Sequence, residues 1–235
     1  MLSRRSFLAA TTAFTLSPRF ILAKPANEVP ALLDHILLGC SDLDQGVDFV
    51  HQHTGVKAAF GGVHPGRGTC NALLALGERR YLEIIAPDPQ QPDVPDSFGL
   101  LRLTEPRLIT WAAHPGEIQA FANRLAKAGI VAEGPTPGSR KRPDGRLLQW
   151  KTLNLKDDAH GLLPFFIEWS PSSPHPSLDA PKGCHLSSFE ILTPDPDTLA
   201  KAVQQLALDV AISKGPAPQL RATLASASRN LLLTS

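Results

Sequence analysis

Methionine and tyrosine each occur once in these 235 residues, and cysteine only three times. A lone methionine excludes a Met-rich adaptable groove, and so few tyrosines argue against an aromatic platform for stacking bases. An excess of one charge is also missing. The chain carries 23 Lys and Arg against 22 Asp and Glu, which leaves no electrostatic footprint for nucleic acid. No apolar run is long enough to cross a bilayer. Cys40, Cys70 and Cys184 allow at most one intramolecular disulfide, and their spacings fit no zinc motif. Cys40 ends an apolar strand and Cys184 begins one, so they read as small buried hydrophobes, with a bridge as the alternative. Proline, by contrast, is abundant: 22 residues, about twice the usual ~5%, which disfavours long helical bundles and favours strands, turns and short helices. With 43% apolar and 19% charged residues, the composition is that of a globular chain, either one ordinary domain or two small ones.

Residues 1–23 have the layout of an export signal. Arg4-Arg5-Ser6-Phe7-Leu8 sets two arginines before a short apolar run ending at Leu16, and Ile21-Leu22-Ala23 supplies a small-residue end. The arrangement resembles a twin-arginine leader, which implies the export machinery as a partner and a periplasmic destination. An uncleaved amphipathic N-terminus is the plainer alternative. Removing this segment leaves 20 basic against 22 acidic residues.

Three echoes of one unit organise the rest. Leu33-Asp34-His35-Ile36-Leu37-Leu38-Gly39 reads as a strand. Asp42 is a suitable N-cap for a helix carrying Leu43, Val47 and Val50, and Gly55 stops it. Residues 107–112 open a second unit whose helix carries Ile118, Phe121 and Leu125 and stops at Gly129. Leu186 to Leu192 opens a third, with a helix beginning at Asp195-Pro196. Strand-like runs follow: 71–76 and 81–85 in the first unit, 147–155 and 165–169 in the second, and 220–225 and 231–234 in the third. Each unit thus reads as a β-α-β-β-β order in which two of the three closing strands stand out as runs. The stretches 87–95, 135–143 and 171–181 are rich in proline and read as connectors.

Paired modules of this kind resemble the vicinal oxygen chelate superfamily, and in particular its glyoxalase-like group. The resemblance is carried by Leu33-Asp34-His35, Gly61-Gly62-Val63-His64-Pro65-Gly66-Arg67-Gly68-Thr69, Asn71 to Gly77, Tyr81-Leu82-Glu83-Ile84-Ile85-Ala86-Pro87, Pro164 to Trp169, and His175-Pro176. It implies an α+β fold in which repeated βαβββ modules form a curved mixed sheet around a cleft, with a third, partial module. The domain would span 32–235, with modules at about 32–88, 107–170 and 184–235. That third module is expected to cap an open sheet edge or to replace a partner subunit, leaving a monomer or loose dimer.

Three polar residues stand out on otherwise apolar strands. Alternation places His35 with Leu33 and Leu37, and Glu83 with Tyr81 and Ile85, while Glu168 lies between Ile167 and Trp169. A carboxylate among such neighbours must be paired, protonated or bound to a metal. One shared solution is a divalent cation (Zn, Fe, Ni, Mn or Co) held in the cleft by His35, Glu83 and Glu168. Pairing of Glu83 with Arg67, Arg79 or Arg80 is the alternative. Metal sites of the superfamily draw on the first and last strands of two modules. Here Thr110 occupies the place of the expected second-module ligand, His114 falls beyond the strand, and His185 is a substitute. Glu83, His64 and Glu168 are candidate catalytic residues, and Arg67, Asn71 and Trp150 are candidate substrate contacts. His64 can shuttle a proton, and Arg67 can grip a carboxylate or phosphate. The cations Arg140, Lys141, Arg142 and Arg146 read as a solvated hairpin tip or, folded over the cleft, as a lid for an anion. The resemblance implies an enzyme (a lyase, isomerase or dioxygenase) acting on a small carbonyl or oxygenated metabolite. Non-catalytic sequestration of a small ligand in the same cleft is the other function the fold allows.

Overall fold

The computed structural model describes residues 28–96 and 98–235, so the leader at 1–23 lies outside the described residues. The first unit forms strand β1 (Leu33–Gly39), helix α1 (Leu43–Thr54) and strands β2 (Ala59–His64), β3 (Thr69–Ala75) and β4 (Tyr81–Pro87). Asp42 caps α1 by accepting from the Gln45 amide at 2.9 Å, and Gly55 ends it in the left-handed region at φ 76°. The second unit repeats the order with β5 (Arg107–Ala113), α2 (Ile118–Lys127), β6 (Ala132–Lys141), β7 (Leu147–Leu155) and β8 (Phe165–Trp169). The third runs β9 (Cys184–Thr193), α3 (Pro196–Gln205), β10 (Ala211–Lys214), β11 (Gln219–Ser226) and β12 (Asn230–Thr234).

The first two units join into one eight-stranded mixed sheet in the order β2-β3-β4-β1-β5-β8-β7-β6. Its halves mirror each other: β1 pairs with β4 in parallel, as β5 does with β8, and β1 meets β5 antiparallel at the centre. The sheet curls until its two edges approach, and the Arg140 guanidinium on β6 donates to the Gly61 carbonyl on β2. The cleft lies inside this curl.

The back of the curl is the core. Val47 and Val50 of α1, and Ile118, Phe121 and Leu125 of α2, pack against Leu33, Ile36, Leu38, Leu82, Ile84 and Phe166 of the sheet. The third unit neither extends the sheet nor caps its edge. It forms its own four-stranded sheet, β10-β9-β11-β12, and presses Leu186, Phe189, Ile191, Leu220 and Leu224 into the same core, with the Phe189 ring 5.1 Å from that of Trp111. Face-to-face burial thus replaces the expected edge protection, because the apolar residues of β9 and β11 need a partner face. His185 goes with this sheet, exposed and paired with Ala225, so it is no substitute ligand for the cleft.

A second correction concerns 135–143. Most of that stretch is strand β6 and not a connector. Pro135 and Pro137 are tolerated there because β6 is the last strand of the sheet and pairs on one side only. The three cysteines are buried and free, and burial pushes the Cys40 thiol up to about 12 and that of Cys70 up to about 11. Among the described residues, no helix is long and apolar enough to cross a membrane.

Candidate functional site

The cleft encloses about 250 Å³ between the halves of the curled sheet. Its floor comes from the first unit. His35 and Leu37 of β1, Tyr81, Glu83 and Ile85 of β4, and His64 and Arg67 at the β2–β3 hairpin all face it. The expected grouping of His35 with Leu33 is only half right. The β1–β5 pairing is irregular between Leu33 and His35, so alternation breaks there. Leu33 joins Ile36 and Leu38 in the core, while His35 stays with Leu37 on the cleft side.

Glu83 is the hub of the floor. Its Oε1 accepts from Asn71 Nδ2 at 2.6 Å and lies 3.6 Å from His64 Nε2, and its Oε2 lies 3.4 Å from His35 Nε2. Asn71 Nδ2 is also 3.3 Å from His64 Nε2. An amide nitrogen donates only, so that His64 nitrogen is an acceptor and the ring's proton sits on Nδ1, 2.8 Å from the Thr69 hydroxyl. The absence of a side chain at Gly61 makes room for this arrangement, since a Cβ there would stand 2.4 Å from Asn71 Oδ1.

His35 has the complementary arrangement. Its Nδ1 is 2.7 Å from Asp34 Oδ1, and a carboxylate can only accept, so this nitrogen carries the proton and Nε2 turns to Glu83. Tyr81 stacks on the imidazole with ring centres 4.4 Å apart. Asp34 is fully buried. It also receives Trp169 Nε1 at 3.2 Å and faces His175 Nε2 at 3.2 Å, while His175 Nδ1 reaches the Ser177 hydroxyl at 2.8 Å.

The electrostatics follow from these contacts. Burial alone would raise the Asp34 pKa, but hydrogen bonds from His175 and His35 and their charge hold it well below the ordinary carboxylate value. Burial pushes His64 down, against the pull of Glu83. Glu83 itself is held below its usual value, as His64, His35, Asn71 and Arg140 outweigh its burial. A neutral His64 offers Glu83 less, whereas Asn71 and Arg140 act in the same direction whatever the state of the ring.

The second unit supplies a different kind of surface. Phe165, Ile167 and Trp169 of β8, Trp150 and Thr152 of β7 and Thr110 of β5 form the opposite wall. Trp150 lies over Gly138, where a Cβ would meet the indole at 2.5 Å, and its ring centre is 5.5 Å from that of Trp169. Glu168 is not part of this wall. Its side chain points to the helix side, where Oε2 accepts the Ile118 amide at 2.6 Å and caps α2. The nominal N-cap, Glu117, makes no such bond. Glu168 thus leaves both the expected metal set and the expected catalytic set.

Without it the donors do not fit a divalent cation. His35, His64 and Glu83 come from one side only and are engaged with Asp34, Thr69 and Asn71. The facing wall offers Thr110 and Ile167, and the Arg140 cation stands nearby. His114 is not among the residues that line the cleft. Among the described residues, no three His, Cys, Asp or Glu side chains are grouped to hold a metal ion.

The site gathers His35, His64, Arg67, Glu83 and Trp150 around the cleft, with Asn71 behind Glu83. Sequence reasoning did not assign Asp34, Tyr81, Trp169 or His175 to it, and offered Arg140 only as one of four hairpin cations that could fold over the cleft as a lid. For Arg140 a signal existed: the Asp144-Gly145 turn pairs Arg140 with Leu148, and counting by two from Leu148 reaches Trp150 and Thr152, which line the cleft.

Over residues 33–207 the sequence matches the family described as a glyoxalase-like domain. No match was found among curated protein sequences. Among solved structures, the chain superposes on a hypothetical protein from Staphylococcus aureus with a TM-score of 0.60 at 17% identity, covering 86% of this chain and 84% of that one. Methylmalonyl-CoA epimerase from Mycobacterium tuberculosis aligns at 20% identity over 66% of this chain and 95% of its own, with a TM-score of 0.44. The family match spans most of the chain, and the curled sheet of βαβββ units agrees with it: the chain belongs to the glyoxalase-like domain family of the vicinal oxygen chelate superfamily.

Proposed function

We propose that this protein is an enzyme that moves a proton at a carbon next to the carbonyl of a small metabolite, with Glu83 as the base and no metal. The observation that carries this reading is a buried carboxylate on the floor of the cleft, 3.4 Å from a histidine whose other nitrogen is fixed by a buried aspartate. Glu83 takes the C–H proton, and the C–H electron pair passes into the carbonyl to give an enolate. His35, oriented by Asp34, takes a second proton from solvent at Nε2 before the substrate enters and then donates from that nitrogen to the enolate oxygen. Return of the proton to carbon completes an isomerisation, and expulsion of a neighbouring group completes an elimination. His64 and Asn71 position the carboxylate. Closure by the aromatic wall excludes water, which strengthens each of these interactions. The Arg4-Arg5 leader would place this chemistry in the periplasm, which fractionation of cells expressing the full chain would test.

The test is solvent deuterium incorporation. Wild-type protein in D2O, with a panel of small 2-oxo and 2-hydroxy carbonyl compounds, is expected to exchange the C–H next to the carbonyl of at least one. The Glu83→Gln variant is expected to lose that exchange by a factor on the order of 10²–10⁴, the usual contribution of a positioned base. Binding of panel members without exchange would favour ligand sequestration instead, a reading to which the largely neutral second wall is suited.

A further inference from the structure

The hairpin cations part company in the folded chain. Arg142 pairs with Asp179 at 2.5 Å, Arg146 pairs with Asp144 at 2.7 Å, and Lys141 is exposed. Arg140 does none of this. It is 4% exposed and lines the cleft. Its Nη1 donates to the Gly61 carbonyl. The ion pairs of lysine and arginine among the described residues engage Arg142, Arg146 and Arg221 and leave Arg140 out.

A guanidinium has five N–H donors in a planar fork, and burying its charge without a carboxylate partner is costly. The Gly61 carbonyl satisfies one of those donors, and Glu83 offsets part of the charge without a contact ion pair. Arg67 stands at the same cleft on the β2–β3 hairpin. That hairpin is tied down by the Gly66 amide donating to Gln91 Oε1 at 2.7 Å, and by Gln91 Nε2 donating to the His64 carbonyl at 3.2 Å and to Asp88 at 2.7 Å. The cleft therefore carries two cations in its lining, Arg140 buried and Arg67 on a tied-down hairpin, beside an apolar wall.

From this we infer that the ligand of the cleft carries a single carboxylate, received by Arg140 with Arg67 at the mouth, and an apolar group laid against Trp150 and Trp169. One negative charge is what the site can balance, because Arg140 and Arg67 bring two positive charges and Glu83 already offsets one of them, so a dianionic phosphate would be in excess. The inference rests on the cleft being the site proposed above, and it narrows the substrate to a carbonyl acid.

The experiment compares benzoate with benzamide, which share a shape and differ in charge, by quenching of tryptophan fluorescence. Benzoate is expected to bind wild-type protein at least about tenfold more tightly than benzamide, the lower end of what a charge-assisted hydrogen bond contributes. Arg140→Gln should remove that preference, Arg140→Lys should keep part of it, and Arg142→Gln should keep all of it. Equal affinity for the two probes in the wild type, failure of benzoate to bind, or an unchanged preference in Arg140→Gln would overturn the inference. The wild-type comparison stands even where loss of the Gly61 contact unfolds a variant. Repeating it in Glu83→Gln separates the two claims. Benzoate preference without any carbonyl exchange sinks the proton-transfer reading and supports the carboxylate receptor. Exchange of neutral carbonyl compounds with no preference for benzoate does the reverse.

Discussion

Strands β4 and β8 close corresponding units, and each carries one glutamate, yet the two carboxylates do opposite things. In Tyr81-Leu82-Glu83-Ile84-Ile85 the acid stands third, on the face with Tyr81 and Ile85, and meets His35 and His64 in the cleft. In Phe165-Phe166-Ile167-Glu168-Trp169 it stands fourth, on the face with Phe166, and caps a helix. A shift of one residue reverses the side a strand residue faces. The same fold therefore yields one half that gathers His35, His64 and Glu83 in the cleft and another that forms its wall. The lesson is that a shared motif does not carry its chemistry over when the parity of the strand differs.

Substituting the two glutamates in parallel tests this difference with the largest effect. Glu83→Gln should cut proton exchange on the order of 10²–10⁴-fold, while Glu168→Gln should leave its rate near that of the wild type. A Glu168→Gln variant as inactive as Glu83→Gln would break the distinction between the halves.

Asp34 joins the halves, since it binds His35 from the first unit and Trp169 from the second. Asp34→Asn should cost about 3 kcal/mol of stability, the range for breaking a buried charged contact, and should slow exchange through loss of the His35 orientation. Its pH dependence has a definite sign. The folded-state pKa of Asp34 is depressed, so its contribution is complete above the unfolded carboxylate value of about 4 and is lost as the pH falls below it. Thermal unfolding followed by circular dichroism should show the melting temperature of the wild type dropping in acid, and a shallower drop in Asp34→Asn.

A smaller effect is expected at the wall. Glu168→Ala should lower stability by about 1 kcal/mol, the usual cost of losing a helix cap, and denaturant unfolding would measure it. The smallest belongs to the hairpin tip, where Arg142→Gln breaks a partly exposed pair with Asp179 and should change stability by less than about 1 kcal/mol.

Much of the fold was legible because its signals are local. Asp42 with Gly55, and Asp195 with Pro196, mark helix ends by their own chemistry, and the apolar runs of β1, β3, β4 and β8 announce buried strands. Three features depend on distant partners and could not be read in the same way. The prolines of β6 suggest a connector until that strand's place at the sheet edge is known. The third unit's position follows from which face its apolar residues find, and that lies outside its own sequence. The break in alternation at Leu33 comes from the pairing with β5. Within the site, His35, Glu83 and His64 were recognisable as polar residues in or beside apolar strands. Glu168 misled for the same reason: a carboxylate between Ile167 and Trp169 looks stranded until the α2 amide that it caps is seen.

The central claim is that the chemistry is one-sided and needs no metal, and elemental analysis tests it most directly. Residues 24–235 would be purified without chelator or immobilised nickel, with His35→Ala and Glu83→Ala prepared in parallel and carbonyl exchange assayed on the same samples. The account predicts no stoichiometric metal in any of the three and exchange in the wild type alone. Near-stoichiometric metal in the wild type, lost in both variants together with exchange, would contradict it.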